Sequence, residues 1–112
     1  MVYYDDDLNL TFGALADPTR REILLQLARA DHTIGELAGG FDMTLPAVSK
    51  HVKVLERAGL ARVTREGRAR RVALQAAPLR DAGTWIARYR RYWEGSFDRL
   101  AKYLETTRDE EA

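Results

Sequence analysis

Apolar side chains recur along this chain at two spacings, and the change from one to the other marks out its parts. Leu8, Phe12 and Leu15 fall at intervals of three and four, the period of one helical face, so a first helix is expected over residues 8–16. Asp17 and Pro18 then read as the N-cap and first position of a second helix, whose core side is Ile23, Leu24 and Leu27. Thr33 with Glu36 three residues on is a capping box, which starts a third helix at Ile34. Gly39-Gly40 stops it after about two turns, because glycine forms helix poorly and caps it well. Thr44 is the next N-cap, with Pro46 in the first turn; Leu45, Val48, Val52 and Leu55 make one buried face, and Gly59 caps the end. From there the period falls to two. Val63, Val72 and Leu74 face inward while Arg62, Arg68, Arg70 and Arg71 stay solvated, around a tight turn at Arg65-Glu66-Gly67-Arg68. Finally Leu79, Ala82, Ile86, Tyr89, Trp93, Phe97, Leu100 and Leu104 return to intervals of three and four, predicting one helix over 79–105, about 40 Å long. The fold class is mainly α with a small β-hairpin: about five helices and a two-stranded wing, in a single domain spanning 1–112. Residues 3–7 are expected to be loosely held and 106–112 to be a frayed, polar tail.

Charge sharpens this picture because it is unevenly spread. The net charge is only +1, but residues 1–43 carry three basic and eight acidic side chains, net −5. Residues 44–74 carry eight basic and two acidic, net +6, and residues 75–112 carry seven of each. The positive charge therefore lies on the helix starting at Thr44 and on the hairpin, as the electrostatic footprint of a nucleic-acid-binding surface would. Pro46, Ser49, Lys50, Lys53 and Arg57 fall on the face of that helix opposite its apolar stripe. Arginines on the hairpin suit phosphate, since the planar guanidinium donates two hydrogen bonds at once. Arg20 and Arg21 sit near the start of their helix, the unfavourable end for cations; they are expected either to touch phosphate or an acidic neighbour, or to be solvated.

The run Asp17-Pro-Thr-Arg20-Arg21-Glu-Ile-Leu, the run from Met43 through Val48-Ser49-Lys50-His51 to Gly59-Leu60, and the basic Arg65-Glu-Gly67-Arg68 turn together resemble the ArsR family of winged helix-turn-helix repressors. The similarity covers roughly residues 10–105. It implies a homodimeric, sequence-specific DNA-binding regulator, a repressor that reads a near-palindromic operator in double-stranded DNA. It places Ser49 and His51 at the DNA surface with Thr44 and Ala47 nearby, beside the Pro46, Lys50 and Lys53 of the polar face. Arg65, Arg68, Arg70 and Arg71 become the contacts of the wing to flanking phosphates. Leu45 stands where many relatives have glutamine, which removes an amide that could read a base edge. In the family the first helix pairs with its copy across the dimer, so Phe12 joins Ile86, Tyr89, Trp93, Phe97 and Leu100 as the expected dimer contacts, with 79–105 as the dimerisation helix. A long aromatic stripe is an interface in waiting on physical grounds too, because a small core cannot cover it.

Several function classes are excluded or disfavoured. With no cysteine, the chain contains no disulfide, thiolate metal site or cysteine redox switch. It has no apolar run of membrane-spanning length, and its Met-Val-Tyr-Tyr-Asp-Asp-Asp start lacks the features of a signal peptide, so a cytoplasmic location is expected. Abundant alanine and an excess of arginine over lysine suit a bacterial source. No catalytic constellation, metal-ligand cluster or glycine-rich phosphate loop appears, and His32 and His51 lie on different elements, so neither an enzyme nor a bound cofactor is expected. The family's metal sensors use cysteines at the third helix or Asp/His clusters on the last, and neither is present; any effector is expected to be non-metallic, an apolar ligand or a protein partner. The competing reading is a winged-helix protein–protein interaction module without DNA binding, for which the concentrated +6 has no use.

Overall fold

The computed structural model describes residues 6–111, so residues 1–5, with most of the loosely held 3–7 stretch and the Met-Val-Tyr-Tyr start, lie outside the described part, as does Ala112. Six helices and three short strands follow in order: α1 (Asp6–Leu15), α2 (Pro18–Arg29), β1 (His32–Thr33), α3 (Ile34–Gly39), α4 (Leu45–Arg57), β2 (Ala61–Glu66), β3 (Ala69–Leu74), α5 (Ala77–Ala87) and α6 (Arg90–Glu111). Two compact units divide the chain, Met1–Ala82 and Gly83–Ala112.

The first unit is held by one core. Ile23, Leu24 and Leu27 of α2, Ile34 and Leu37 of α3, and Val48, Val52 and Leu55 of α4 meet Leu60, Ala61 and Val72 of the sheet. The helix ends form as the capping chemistry dictates. Asp17 accepts from Arg20 N at 3.0 Å, and Thr33 and Glu36 exchange both bonds of the capping box. Thr44 Oγ1 accepts from Ala47 N at 3.3 Å. The end of α4 is a Schellman motif. Leu60 N donates to Leu55 O and Gly59 N to Glu56 O, both at 2.9 Å, with Gly59 at φ +76°. A side chain there would be strained by that φ. This turn points the chain from α4 straight into β2, so it sets the angle between helix and hairpin.

The fold departs from expectation in local detail. The two-stranded hairpin of β2 and β3 gains a third strand: β3 is the central strand of an antiparallel sheet ordered β1-β3-β2, with His32 opposite Val72 and Thr33 opposite Arg71. A two-residue strand has no readable periodicity, so the sequence showed only the cap that follows it. The fully buried residues of α1 are Thr11 and Ala14, while Leu8, Phe12 and Leu15 are half-buried and Leu15 packs against the core; the Thr11 hydroxyl is satisfied by donating to Asp7 O at 3.0 Å. Leu45 is exposed (53%), because the first turn of α4 overhangs the core that its later turns enter. The 106–112 stretch is helical to Glu111 as the end of α6.

Arg20 and Arg21 have a role neither expectation named. Arg20 donates from Nε to Ala14 O at 2.7 Å and from Nη2 to Gly13 O at 3.1 Å, and Arg21 Nη1 donates to Leu15 O at 2.7 Å. They close the carbonyls left open at the end of α1, where positive charge suits the helix dipole. Arg20→Ala is expected to lower the unfolding free energy by roughly 1.5–3 kcal/mol, the range for hydrogen bonds to charged groups. A urea midpoint unchanged from wild type would show that these bonds contribute nothing.

In the second unit the expected continuous helix over 79–105 is interrupted. The end of α5 tightens through Arg88 N to Trp85 O (3.2 Å) and Tyr89 N to Ile86 O (3.0 Å), and α6 restarts with Trp93 N to Tyr89 O (3.1 Å). Neither Gly83 nor Gly95 lies at the break; both are inside helices. The hydrophobic spacing runs through the turn unchanged, with the Trp85 and Tyr89 rings 5.1 Å apart across it, so periodicity alone could not reveal it. Every large apolar side chain of α6, from Tyr92 to Leu104, is exposed.

Candidate nucleic-acid interface

The turn from Gly40 to Met43 carries the chain from α3 into α4. Phe41 and Met43 pack on the core from this turn and so fix the pose of the second helix on the first. With Val48, Val52 and Leu55 buried, geometry forces the other face of α4 outward. Thr44, Leu45, Pro46, Lys50, Lys53 and Arg57 are exposed, and Ala47, Ser49 and His51 are half-buried. Thr44 uses its oxygen as the cap, which leaves the hydroxyl hydrogen free to donate outward. Neither Lys50 nor Lys53 has an ion-pair partner among the described residues.

The wing hairpin closes on the two residues Gly67 and Arg68. Glu66 faces Ala69, and Gly67 at φ +63° occupies the first loop position, as in a type II′ turn. Strand alternation then sorts the arginines. Val72 is buried and pairs with Val63, so Arg70 and its cross-strand partner Arg65 lie on the same, α4-facing side. Arg70 reaches α4: its Nη2 donates to Ser49 Oγ at 3.2 Å. Arg71 lies on the other side, where its Nε donates to Glu66 Oε2 at 2.6 Å. That hydrogen bond, and then the charge of Glu66, raise the Arg71 pKa further above its ordinary value. Arg62 shares the Arg71 side, and Arg68 is exposed at the tip.

The expected contact residues thus form two groups. On α4, Thr44, Pro46, Ala47, Ser49, Lys50 and Lys53 are exposed or half-buried, and Ser49 is bonded to Arg70, which shares its side of the wing with Arg65. Arg71 turns away to a carboxylate. His51 is also engaged, with its Nδ1 4.0 Å from Asp17 Oδ2, ion-pair range when the imidazole is protonated. The Asp17 carboxyl is held below its ordinary pKa, first by the Arg20 backbone N–H and also by His51. The sorting of Arg70 from Arg71 was within reach of the sequence, because Arg70 is two residues from the buried Val72 and Arg71 only one.

Among the described residues no group of three or more His, Cys, Asp and Glu side chains could hold a metal, and no helix is long and apolar enough to cross a membrane. His32 Nδ1 lies 3.6 Å from Glu36 Oε2, a local i,i+4 contact at the start of α3. An open, apolar groove of about 330 Å³ runs between α1, α2, β3 and Leu79, lined by Leu15, Leu24, Leu25 and Leu74.

Comparison with known proteins agrees with this geometry. A helix-turn-helix domain family matches residues 15–64, from the end of α1 into the wing. The transcriptional repressor SdpR of Bacillus subtilis is 33% identical over 82 residues, 73% of this chain and 91% of that protein. The HTH-type transcriptional regulator Rv2034 of Mycobacterium tuberculosis is 51% identical over a shorter stretch of 47 residues, 42% of this chain and 44% of its own. Among solved structures, the ArsR family transcriptional regulator RHA00566 superposes with a TM-score of 0.75 at 42% identity, over 84% of this chain and 97% of that one. The winged helix-turn-helix DNA-binding domain Mb0332 of Mycobacterium bovis, described as homodimeric, has a TM-score of 0.59 at 26% identity, over 83% and 80%.

Proposed function

Because the chain belongs to the ArsR family of winged helix-turn-helix transcriptional regulators, we propose that it acts as a homodimeric repressor that reads a near-palindromic DNA site. The observation that carries this reading is the positive charge concentrated on α4 and the wing, net +6 over residues 44–74, with the two elements joined by the Arg70–Ser49 bond. In a twofold dimer, two copies of α4 would enter successive major grooves about one helical turn apart. Lys50 and Lys53 then contact phosphates, and Ser49 and Thr44 offer hydroxyls to phosphates or base edges. Leu45, exposed at the first turn of α4, offers the thymine methyl group an apolar contact where an amide would have read adenine. His51 lies at this surface with its Nδ1 4.0 Å from Asp17 Oδ2, so a protonated imidazole would tie α4 to the start of α2.

The dimer half of the proposal rests on the exposed aromatic stripe of α6 and Ile86, assisted by the half-buried Phe12 of α1. The homodimeric Mb0332 domain supports it.

The test is binding of the purified protein to duplex DNA across a salt series. A dimer that contacts on the order of 6–10 phosphates is expected to lose about 10³–10⁵ in affinity between 50 and 200 mM salt. A protein that binds no DNA at 50 mM would leave the protein–protein module as the reading. In the same assay stoichiometric Zn²⁺ is expected not to release the DNA, since tight zinc sites need thiolate or imidazole ligands and the chain has no thiol and two separated histidines. Zinc bound at one per protomer in calorimetry, with loss of DNA, would contradict that.

A further inference from the structure

The apolar groove beside α2 has no part in DNA binding as proposed above. It lies wholly within the first unit, between the end of α1, α2, the end of β3 and the first turn of α5. Leu15, Leu24, Leu25, Leu74 and Leu79 line it, and its volume of about 330 Å³ falls at the lower end of the range for small-molecule pockets. Leu25 is 49% exposed, so the groove presents leucine to solvent as well as to the core. Arg21 brings a charge to it. Because the lining is apolar, Arg21 contributes its aliphatic stem. Its guanidinium is fixed at the Leu15 end, where Nη1 donates to Leu15 O at 2.7 Å. No carboxylate lies within ion-pair range of that guanidinium among the described residues. The remaining N–H donors are left for a ligand, in a planar fork that matches a carboxylate. Arg21 also stands in the first turn of α2, whose dipole favours an anion.

We infer that this groove is an effector site for a small carboxylic acid with an apolar tail, of the size of a medium-chain fatty acid. The tail lies along the leucines and the carboxylate meets Arg21. A wholly apolar molecule would leave the fixed guanidinium unused, and a neutral polar one would desolvate against leucine without a partner. A protein partner takes roughly 20–30 residues a side, far more than line this groove. The place of the groove gives its occupant leverage. Leu74 ends β3 and Leu79 stands in the first turn of α5, so a tail packed between them and α2 fixes how the hairpin passes into α5. In turn α2 shares its core with α4, through Ile23 and Leu27 on one side and Val48 and Val52 on the other. Occupancy therefore changes DNA affinity from a distance, to the extent that the acid prefers one arrangement of these elements. This effector role rests on the DNA-binding function proposed above; the binding of the acid does not.

The test is calorimetry of the full-length protein without DNA, with octanoate as the probe and 1-octanol as its uncharged counterpart. Octanoate is expected to bind at one per protomer and at least about tenfold more tightly than octanol, because a charge-assisted pair to arginine is added. Arg21→Gln is expected to remove that preference while octanol binds as before, a split that loss of the α1 cap alone would not produce. Ala28 lies exposed in the groove lining, and Ala28→Phe is expected to abolish binding of both by filling the space. Leu25→Glu offers Arg21 a carboxylate from the next helical turn; it is expected to exclude octanoate too, and it serves if the phenylalanine variant does not fold. Octanoate that binds no better than octanol overturns the inference. So does binding that survives Ala28→Phe and is lost instead in Trp93→Ala with Phe97→Ala, which would place the acid on α6. An Ala28→Phe protein whose dimer is weakened in sedimentation would put a second copy in the groove, with the same consequence. With duplex DNA added, saturating octanoate is expected to change the affinity at least about fivefold. Octanoate that binds in the groove but leaves DNA affinity unchanged overturns the effector role. A protein that binds octanoate there but no DNA overturns the function proposed above and not the acid site.

Discussion

Replacing Trp93 and Phe97 together with alanine is expected to produce a folded monomer that binds operator DNA weakly. The two side chains lie four residues apart on one face of α6 and are 48% and 69% exposed, so the protomer gains little from them. Fully buried, a Phe or Trp removes on the order of 150–250 Å² from water, worth several kcal/mol at about 25 cal/mol per Å². A twofold interface would contain both residues twice. Even after the entropy of association is subtracted, losing four such anchors should raise the dimer dissociation constant at least about a hundredfold. Sedimentation reads the assembly, and thermal unfolding extrapolated to low protein concentration reads the protomer. DNA affinity should fall with the dimer, because each half-site would then be bound without its tethered neighbour. A dimer of normal strength with a much lower melting temperature would place the pair in a protomer core. The seam would then have to involve other exposed residues such as Leu100 or Tyr103.

Changing Arg68, Arg70 and Arg71 together to alanine is expected to flatten the salt dependence of DNA binding by about 3.6 units in a log–log plot. That figure assigns about 0.9 to each phosphate that the protein no longer neutralises, from two arginines in each of two wings. Arg71 is left out because its guanidinium is held by Glu66 at 2.6 Å on the side of the sheet away from α4. Affinity for operator and for unrelated duplex should fall together, since phosphate contacts carry no sequence information. A flattening of about 5.4 units, the same 0.9 applied to three arginines per wing, would return Arg71 to the interface. An unchanged slope would remove the wing from DNA binding altogether. The single change Arg71→Ala should alter affinity by less than about twofold, which separates an outer-face ion pair from a contact residue.

The chain's local chemistry determined most of the helical scaffold and the character of its surface. Capping is a matter of neighbours in sequence, so Asp17, Thr33 with Glu36, Thr44 and Gly59 announced the ends of α2, α3 and α4 without reference to anything distant. The period of Val48, Val52 and Leu55 predicted the buried face of α4, and Val63 with Val72 the inner face of the wing. The concentration of positive charge from Thr44 to Leu74 was legible in the sequence alone. Tertiary structure decided what depends on residues far apart in the chain. Leu45 follows the same period as Val48, yet whether it is covered depends on how far the core extends beneath the first turn of α4, and there the core stops short. His32-Thr33 becomes a strand only because β3, some forty residues later, presents an edge to pair with. Arg20 and Arg21 cap α1 because α2 folds back to bring their guanidiniums to its last carbonyls. Arg70 and Arg71, adjacent and chemically identical, part company because a strand sends successive side chains to opposite sides. One side faces Ser49 and the other faces Glu66. Alternation about the buried Val72 separates the two arginines already in the sequence, and the packing of sheet against helix decides that the Arg70 side is the one beside α4.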